Sequence, residues 1–258
     1  MPRDLRELIR RLDRENPTWG GERIANELSL KLGIRVSPRT VRKYLLKTGP
    51  SPRGTTNLRW STFVRNQARA IVACDFFISV TASFRVLYVF VAMEVGSRRI
   101  LHTNVTAHPT AEWTIQQFRE FLAFDHPYRL LIHDRDCIFS PGVDQSLKGF
   151  GLRVLKTPVR APKANAFCER LIGTIRRECV DYFIPINERH LRILVNEFVV
   201  HYNRGRPHSL LGPGIPGPNQ TEVPASVRRH RLPAGYSIKS TPVLGGLHHE
   251  YRLEKEVA

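Results

Sequence analysis

Three apolar segments rich in β-branched and aromatic residues follow one another between residues 68 and 107 of the 258-residue chain, separated by short polar breaks. This pattern predicts three strands joined as a meander. Beyond them, helical and strand-like segments alternate and two long helices follow; the alternating segments are TAEWTIQQFREFLAF, YRLLIHD, GVDQSLKGFG and LRVLKT. Strands that alternate with helices form a covered sheet, so the chain is predicted to contain an α/β domain: a mixed five-stranded sheet with helices on both faces.

The first 48 residues have a different pattern, that of three short helices. The third is best marked, because Ser37 is a good N-cap residue and Pro38 suits the first helical position. Its other face carries basic and hydroxyl side chains, namely Arg39, Thr40, Arg42 and Lys43. Such a helix after a short turn is typical of a helix-turn-helix that enters the major groove of DNA. A small helical bundle with solvated charges explains the same pattern equally well.

Changes in composition divide the chain into four segments. Residues 1–48 are predicted to form an all-α helix-turn-helix domain, and residues 49–59, rich in Pro, Gly and Thr, a linker. Residues 60–215 contain the predicted α/β core. Residues 216–258, which begin with a Pro-rich stretch, are predicted to form an extended C-terminal arm with a short hairpin.

The chain is strongly basic, with 40 Lys and Arg residues against 23 Asp and Glu residues and a net charge of +17. This charge predicts a polyanionic partner, and nucleic acid is the leading choice. The N-terminal residues lack the apolar core of a signal peptide, and the longest apolar run, residues 86–93, is too short to span a bilayer. The four cysteines have no CxxC spacing, so we expect reduced thiols and a cytoplasmic, nucleoid-associated protein.

Three acidic residues stand out against this basic background. Asp75 lies inside the first strand, where a buried acid is costly unless it is paired or binds a metal ion. Asp134 ends the fourth strand, and Glu169 lies in the first long helix. If the first and fourth strands are neighbours in the sheet, the three carboxylates would converge. Carboxylates are preferred ligands of Mg²⁺ and Mn²⁺, and two such ions can hold the attacking and leaving oxygens of a phosphodiester displacement.

The segments around these acids form an ordered set of motifs. They read ACDFF, HDRDCIF and NAFCERLIGTIRREC, with 35 positions between Asp134 and Glu169, and HYNRGRPHSLLG follows at residues 201–212. In this order they resemble the DDE transposases and retroviral-type integrases, in particular the bacterial insertion-sequence branch. The resemblance covers about residues 17–215 and implies a ribonuclease H-like catalytic core. Asp136 stands where the family has a glycine, and we expect it to cap the turn after the strand.

The resemblance also implies roles for individual residues. The catalytic acids, which would bind two Mg²⁺ ions with Mn²⁺ as a substitute, are Asp75, Asp134 and Glu169. Lys163 and Asn165 are expected to contact the DNA backbone. We expect a transposase or integrase that binds element ends through residues 1–48, hydrolyses a phosphodiester and joins the freed 3′-OH to target DNA.

This function requires double-stranded DNA and a homo-oligomer, a dimer or larger, because two element ends must be brought together. Two alternatives stay open at this point. One is a non-catalytic DNA-binding relative, such as a domesticated transposase or a repressor. The other is a ribonuclease H-like nuclease that cuts DNA without strand transfer.

Overall fold

The computed structural model describes residues 1–16, 18–45, 67–156, 165–212, 214–217 and 231–256. The predicted linker at 49–59 and the predicted helix start at Pro162 lie outside these residues. The chain divides into two compact units, one of residues 1–53 and 200–258 and the other of residues 54–199. Among the described residues, no helix has both the length and the apolar character needed to cross a membrane.

The unit of residues 54–199 is built on a mixed sheet of five strands. The strands are β1 (Ile71–Val80), β2 (Val86–Glu94), β3 (Ile100–Thr106), β4 (Leu130–His133) and β5 (Arg153–Lys156). Their order in the sheet is β3-β2-β1-β4-β5. The meander β1 to β3 is antiparallel, whereas β4 pairs in parallel with β1, and β5 in parallel with β4. This arrangement confirms the predicted ribonuclease H-like sheet.

Helices cover this sheet on both faces. They are α4 (Ala111–Phe121), α5 (Pro141–Gly149), α6 (Ala166–Glu178) and α7 (Glu188–Arg204), the last of which continues into the other unit. On one face Phe118 of α4 and Val143 of α5 pack into a buried cluster with side chains of β1, β2 and β4. On the opposite face α6 contacts β1 and β2, and its Arg176 guanidinium lies 5.4 Å from the centroid of the Phe77 ring.

The other unit contains three helices, α1 (Arg3–Glu15), α2 (Gly21–Leu32) and α3 (Pro38–Arg42). Apolar residues at helical spacing form their shared core, among them Leu5, Ile9, Leu12, Ile24 and Leu28. This spacing explains why a segment so rich in charge folds, because one stripe of each helix is apolar. The left-handed conformation of Gly33, with φ 67°, ends α2.

The C-terminal residues contribute to the same unit. Strands β6 (Tyr236–Val243) and β7 (His248–Lys255) form an antiparallel hairpin. Tyr251 of β7 is buried in the core of the three helices, and its hydroxyl contacts the side chain of Asn16 at 3.0 Å. Within the predicted C-terminal arm over 216–258, the hairpin expected from the sequence is thus present over residues 236–255, and it packs on the helices. Alternating side chains of β7 reach an apolar helical surface, which an extended arm would leave exposed to water.

Candidate active site

The parallel pairing of β1 with β4 brings two of the predicted acids to the same level of the sheet. The register pairs Val72 with Leu131 and Ala73 with Ile132. Asp75 and Asp134 each lie two residues beyond the last of these pairs. Because adjacent parallel strands lie about 4.8 Å apart, the two carboxyl groups are close neighbours.

Asp75 is the more enclosed of the two acids. Its Oδ1 accepts a hydrogen bond from the backbone N–H of Phe76 at 2.8 Å, and its Oδ2 accepts one from Nδ2 of Asn165 at 3.0 Å. Burial, followed by repulsion from Asp134, raises the pKa of Asp75 from 3.8 to about 7, and Glu169 contributes further repulsion. Strong perturbation of a carboxyl group by desolvation and by other acids is typical of functional sites.

The turn after β4 separates the roles of Asp134 and Asp136. Oδ1 of Asp134 accepts a hydrogen bond from the backbone N–H of Asp136 at 2.9 Å. Oδ1 of Asp136 accepts one from the backbone N–H of Ile138 at 3.0 Å, as expected of a residue that caps a turn. Asp136 is exposed, whereas Asp134 is half-buried. The predicted turn-capping role of Asp136 is therefore confirmed, and Asp134 is the acid that lies level with Asp75.

Glu169 lies in the first turn of α6 and its side chain is exposed. It is near enough to Asp75 to raise the pKa of that group, yet it does not complete a ligand set. Within the described part of the chain, no three His, Cys, Asp or Glu side chains are grouped closely enough to hold a metal ion. The structure thus brings Asp75 and Asp134 together, with Glu169 at the edge of the pair.

The donor chemistry of the acid pair nevertheless suits a hard divalent cation. Asp75 and Asp134 offer carboxylate oxygens, the ligands that Mg²⁺ and Mn²⁺ prefer. The repulsion that raises the pKa of Asp75 is what a bound cation would relieve.

Asn165, which was expected to contact the DNA backbone, is instead buried beside Asp75. It immediately precedes α6, is only 3% exposed, and donates to Oδ2 of Asp75. A buried amide that is bonded to a carboxylate is not presented to a phosphate, so the expected contact with the DNA backbone does not fit this structure. Lys163, the other residue expected to contact DNA, lies outside the described residues.

The short helix α3 has the surface that the sequence predicts. Oγ of Ser37 accepts a hydrogen bond from the backbone N–H of Thr40 at 3.2 Å, which caps the helix. The side chains of Arg39, Arg42 and Lys43 are exposed, whereas Thr40 is half-buried and its hydroxyl contacts that of Ser37. The basic side chains therefore share one accessible helix.

A glycine in α2 permits the close approach of α3. A Cβ atom on Gly21 would lie 2.6 Å from the side chain of Arg42 and 3.4 Å from its backbone nitrogen. Any larger residue at position 21 would push α3 away from α2 or displace the Arg42 side chain. The position of this basic side chain thus depends on the tight packing of the two helices.

The sheet order and the acid pair define a class of protein: a ribonuclease H-like domain with two carboxylates at its central strands. Residues 151–216 match the family model described as integrase core domain. These residues include Glu169 and all of α6 and α7. Over these residues the chain is thus similar to the integrase core domain, which confirms the predicted resemblance to integrases and transposases of the ribonuclease H-like type.

Several solved structures are similar to this chain. The catalytic core domain of BIV integrase is 16% identical, with a TM-score of 0.43, and the match covers 57% of this chain and 91% of that one. The HTLV-2 integrase catalytic core in complex with magnesium, in its trimeric form, is 13% identical, with a TM-score of 0.45 and coverage of 56% and 92%.

A third similar structure is a simian T-cell lymphotropic virus intasome in complex with a PP2A regulatory subunit, B56 gamma. It is 13% identical, with a TM-score of 0.47, and the match covers 86% of this chain and 92% of that one. No curated protein matches the sequence. The order and direction of the strands, rather than these likenesses, carry the fold assignment.

Proposed function

We propose that this protein is a DNA transposase or integrase that cuts a phosphodiester at element ends and joins the freed 3′-OH to target DNA. The observation that carries the proposal is the pair of Asp75 and Asp134 on adjacent parallel strands, with Glu169 close enough to perturb Asp75. A pair of neighbouring acids with a third acid close by is costly for a protein to maintain without a cation. Their presence in a chain of net charge +17 favours catalysis on a polyanion.

The acids have distinct parts in this proposal. Asp75 and Asp134 would hold Mg²⁺ or Mn²⁺ between the strands, and Glu169 would complete the site from α6. Two bound ions would supply stabilisation of charge on the attacking and leaving oxygens of the phosphodiester. Asn165 would orient the Asp75 carboxylate through the hydrogen bond to Oδ2, together with the backbone N–H of Phe76 at Oδ1.

DNA recognition would fall to the N-terminal helices. Arg39, Arg42 and Lys43 are exposed on α3, and long basic side chains of this kind reach both base edges and phosphates in a major groove. The large positive charge of the chain supports binding to the phosphate backbone, with an affinity that falls as salt rises. A homo-oligomer is part of the proposal, because two element ends must be held together for joining.

A strand-transfer assay tests this function. Labelled DNA from the ends of the element that encodes the protein is incubated with the protein in Mg²⁺ or in EDTA, and nicked and joined products are separated. We expect both products in Mg²⁺ only. Nicks without joining would indicate the nuclease alternative, and binding without either product would indicate a non-catalytic DNA-binding protein.

Substitutions at the acids make the assay specific to the site. Glu169→Gln should lower cleavage and joining to background while end binding persists, because it removes charge and preserves shape. Glu188→Gln is the matched control, since Glu188 is also in the first turn of a helix but pairs with Arg192. Asp134→Asn should abolish activity and Asp136→Asn should retain it. Full activity of Glu169→Gln would contradict the three-acid mechanism.

A further inference from the structure

A histidine next to Asp134 is buried in an environment that is polar on two sides. His133 is the last residue of β4 and is fully buried. Its ring stacks on that of Phe139 with centroids 4.3 Å apart and planes at 22°. Burial and stacking alone would suit a phenylalanine equally well, so they do not explain why this position has an imidazole.

The two ring nitrogens explain it, because each contacts an oxygen. Nδ1 contacts the backbone carbonyl oxygen of Asp134, and a carbonyl only accepts, so Nδ1 donates there. Nε2 lies 3.0 Å from Oδ1 of Asp144 on α5. The ring is therefore fixed at both ends, and one of those ends is the backbone of the proposed metal ligand.

Asp144 also contacts a lysine. Its Oδ2 lies 2.6 Å from Nζ of Lys156, and Lys156 is the residue of β5 that pairs with His133 in the sheet. The side chains of His133, Asp144 and Lys156 thus join β4, β5 and α5 at the end of β4 that precedes Asp134. With its side chain 14% exposed, Asp144 is shielded from water, which strengthens both of its contacts.

We propose that His133 is a positioning residue for Asp134, anchored through Asp144 and Lys156. This inference rests on the proposed function, in which Asp134 binds a divalent cation. The hydrogen bond from Nδ1 sets the direction of the Asp134 carbonyl, and thereby the direction of the bond from Cα to Cβ. The carboxylate is oriented from the other side by the backbone N–H of Asp136. Groups that orient a metal ligand commonly change metal affinity or activity about 10- to 100-fold when removed.

Two substitutions separate positioning from packing. His133→Phe keeps the stacking on Phe139 and most of the volume but removes both hydrogen bonds. His133→Asn places Nδ2 where Nδ1 lies, and so restores the donor to the Asp134 carbonyl while losing the contact with Asp144. The matched control is His126→Phe, since His126 also contacts a backbone carbonyl, that of Phe150, and stacks on Tyr128.

The test measures Mn²⁺ binding by the full chain without DNA, and the electron paramagnetic resonance signal of free Mn²⁺ reports the binding. Urea unfolding of each variant shows whether it is folded. We expect His133→Phe to weaken Mn²⁺ binding about 10- to 100-fold, His133→Asn to recover part of the loss, and His126→Phe to bind as wild type. Cleavage by His133→Phe should need correspondingly more metal while end binding is unchanged. If His133→Phe does not fold, weaker Mn²⁺ binding by a folded His133→Asn than by wild type supports the proposal.

The outcomes distinguish this inference from the proposed function. Wild-type Mn²⁺ binding by His133→Phe would overturn the positioning role and leave the proposed function intact. Where His133→Phe does not fold, wild-type binding by His133→Asn would overturn the anchoring through Asp144. Equal losses for His133→Phe and His126→Phe would also overturn it, because they would indicate a general effect of altered packing. Wild-type protein that binds no Mn²⁺ would overturn both.

Discussion

Replacement of Asp75 by asparagine should stabilise the metal-free protein at high pH while it abolishes activity. The pKa of Asp75 rises from 3.8 to about 7, chiefly through burial and then through repulsion by Asp134. Each tenfold change in an acidity constant corresponds to about 1.4 kcal/mol, so the full rise costs roughly 4 kcal/mol of folding free energy. Because the pKa is raised in the folded state, stability is retained below about pH 4 and lost as the pH rises to about 7.

The gain from Asp75→Asn is smaller than this figure because one hydrogen bond changes. An asparagine oxygen can still accept from the backbone N–H of Phe76, but its amide would face Nδ2 of Asn165. Asn165 can respond by a flip, since its Oδ1 is buried and otherwise has no hydrogen-bond partner. The flip gives up the longer contact with the Cys74 carbonyl, at 3.4 Å, and a lost hydrogen bond costs about 1 kcal/mol.

Urea unfolding in EDTA measures the effect. At pH 8 the variant should be more stable than wild type by about 3 kcal/mol. At pH 5 most of this difference should disappear, because Asp75 of the folded wild type is then protonated and uncharged. Added Mg²⁺ should stabilise wild type more than the variant, since binding to the folded state adds to stability. Asp136→Asn is the control and should change stability by less than about 0.5 kcal/mol. Equal stability differences at the two pH values would refute the reasoning.

Three further predictions concern the unit that contains the N-terminal helices. Ser37→Ala removes the cap of α3, so urea unfolding should show a free energy of unfolding lower by about 1 kcal/mol. The same variant should bind DNA from the element ends more weakly. Gly205→Ala places a Cβ atom 1.8 Å from Oε1 of Glu250, which is hydrogen-bonded to His201. We expect the free energy of unfolding to fall by about 1 to 3 kcal/mol, and an unchanged unfolding midpoint would contradict this packing. Tyr251→Phe removes the hydrogen bonds of the hydroxyl group and should lower the free energy of unfolding by about 1 to 2 kcal/mol. A variant as stable as wild type would show that these hydrogen bonds contribute little.

Strands and helices of the α/β unit could be predicted from the sequence because their local patterns agree with their tertiary environment. The β-branched run that begins β1 is buried on both faces, and the segments predicted for the other strands coincide with the observed ones. The cap at Ser37 was equally predictable, since the hydrogen bond spans only three residues. The sequence pattern is enough to predict a contact when both partners lie within a few residues of each other.

Polar residues with distant partners could not be predicted in the same way. In α4 the apolar pattern favours Trp113 and Ile115 as core residues, yet both are only partly buried against the core, whereas Gln117 is buried. The Gln117 amide oxygen accepts a hydrogen bond from Nδ2 of Asn104 in β3 at 2.7 Å, a contact that no local pattern encodes. The hairpin that packs on the N-terminal helices is a more extreme case, because Asn16 and Tyr251 are 235 positions apart.

The same kind of contact links the third acid to the first two. Asn165 immediately precedes α6, and Glu169 lies in the first turn of that helix. The hydrogen bond from Asn165 to Asp75 ties the start of α6 to β1. Glu169 is near enough to Asp75 to raise the pKa of that carboxyl group. An amide expected to bind DNA thus joins the segment that carries the last acid to the strand that carries the first.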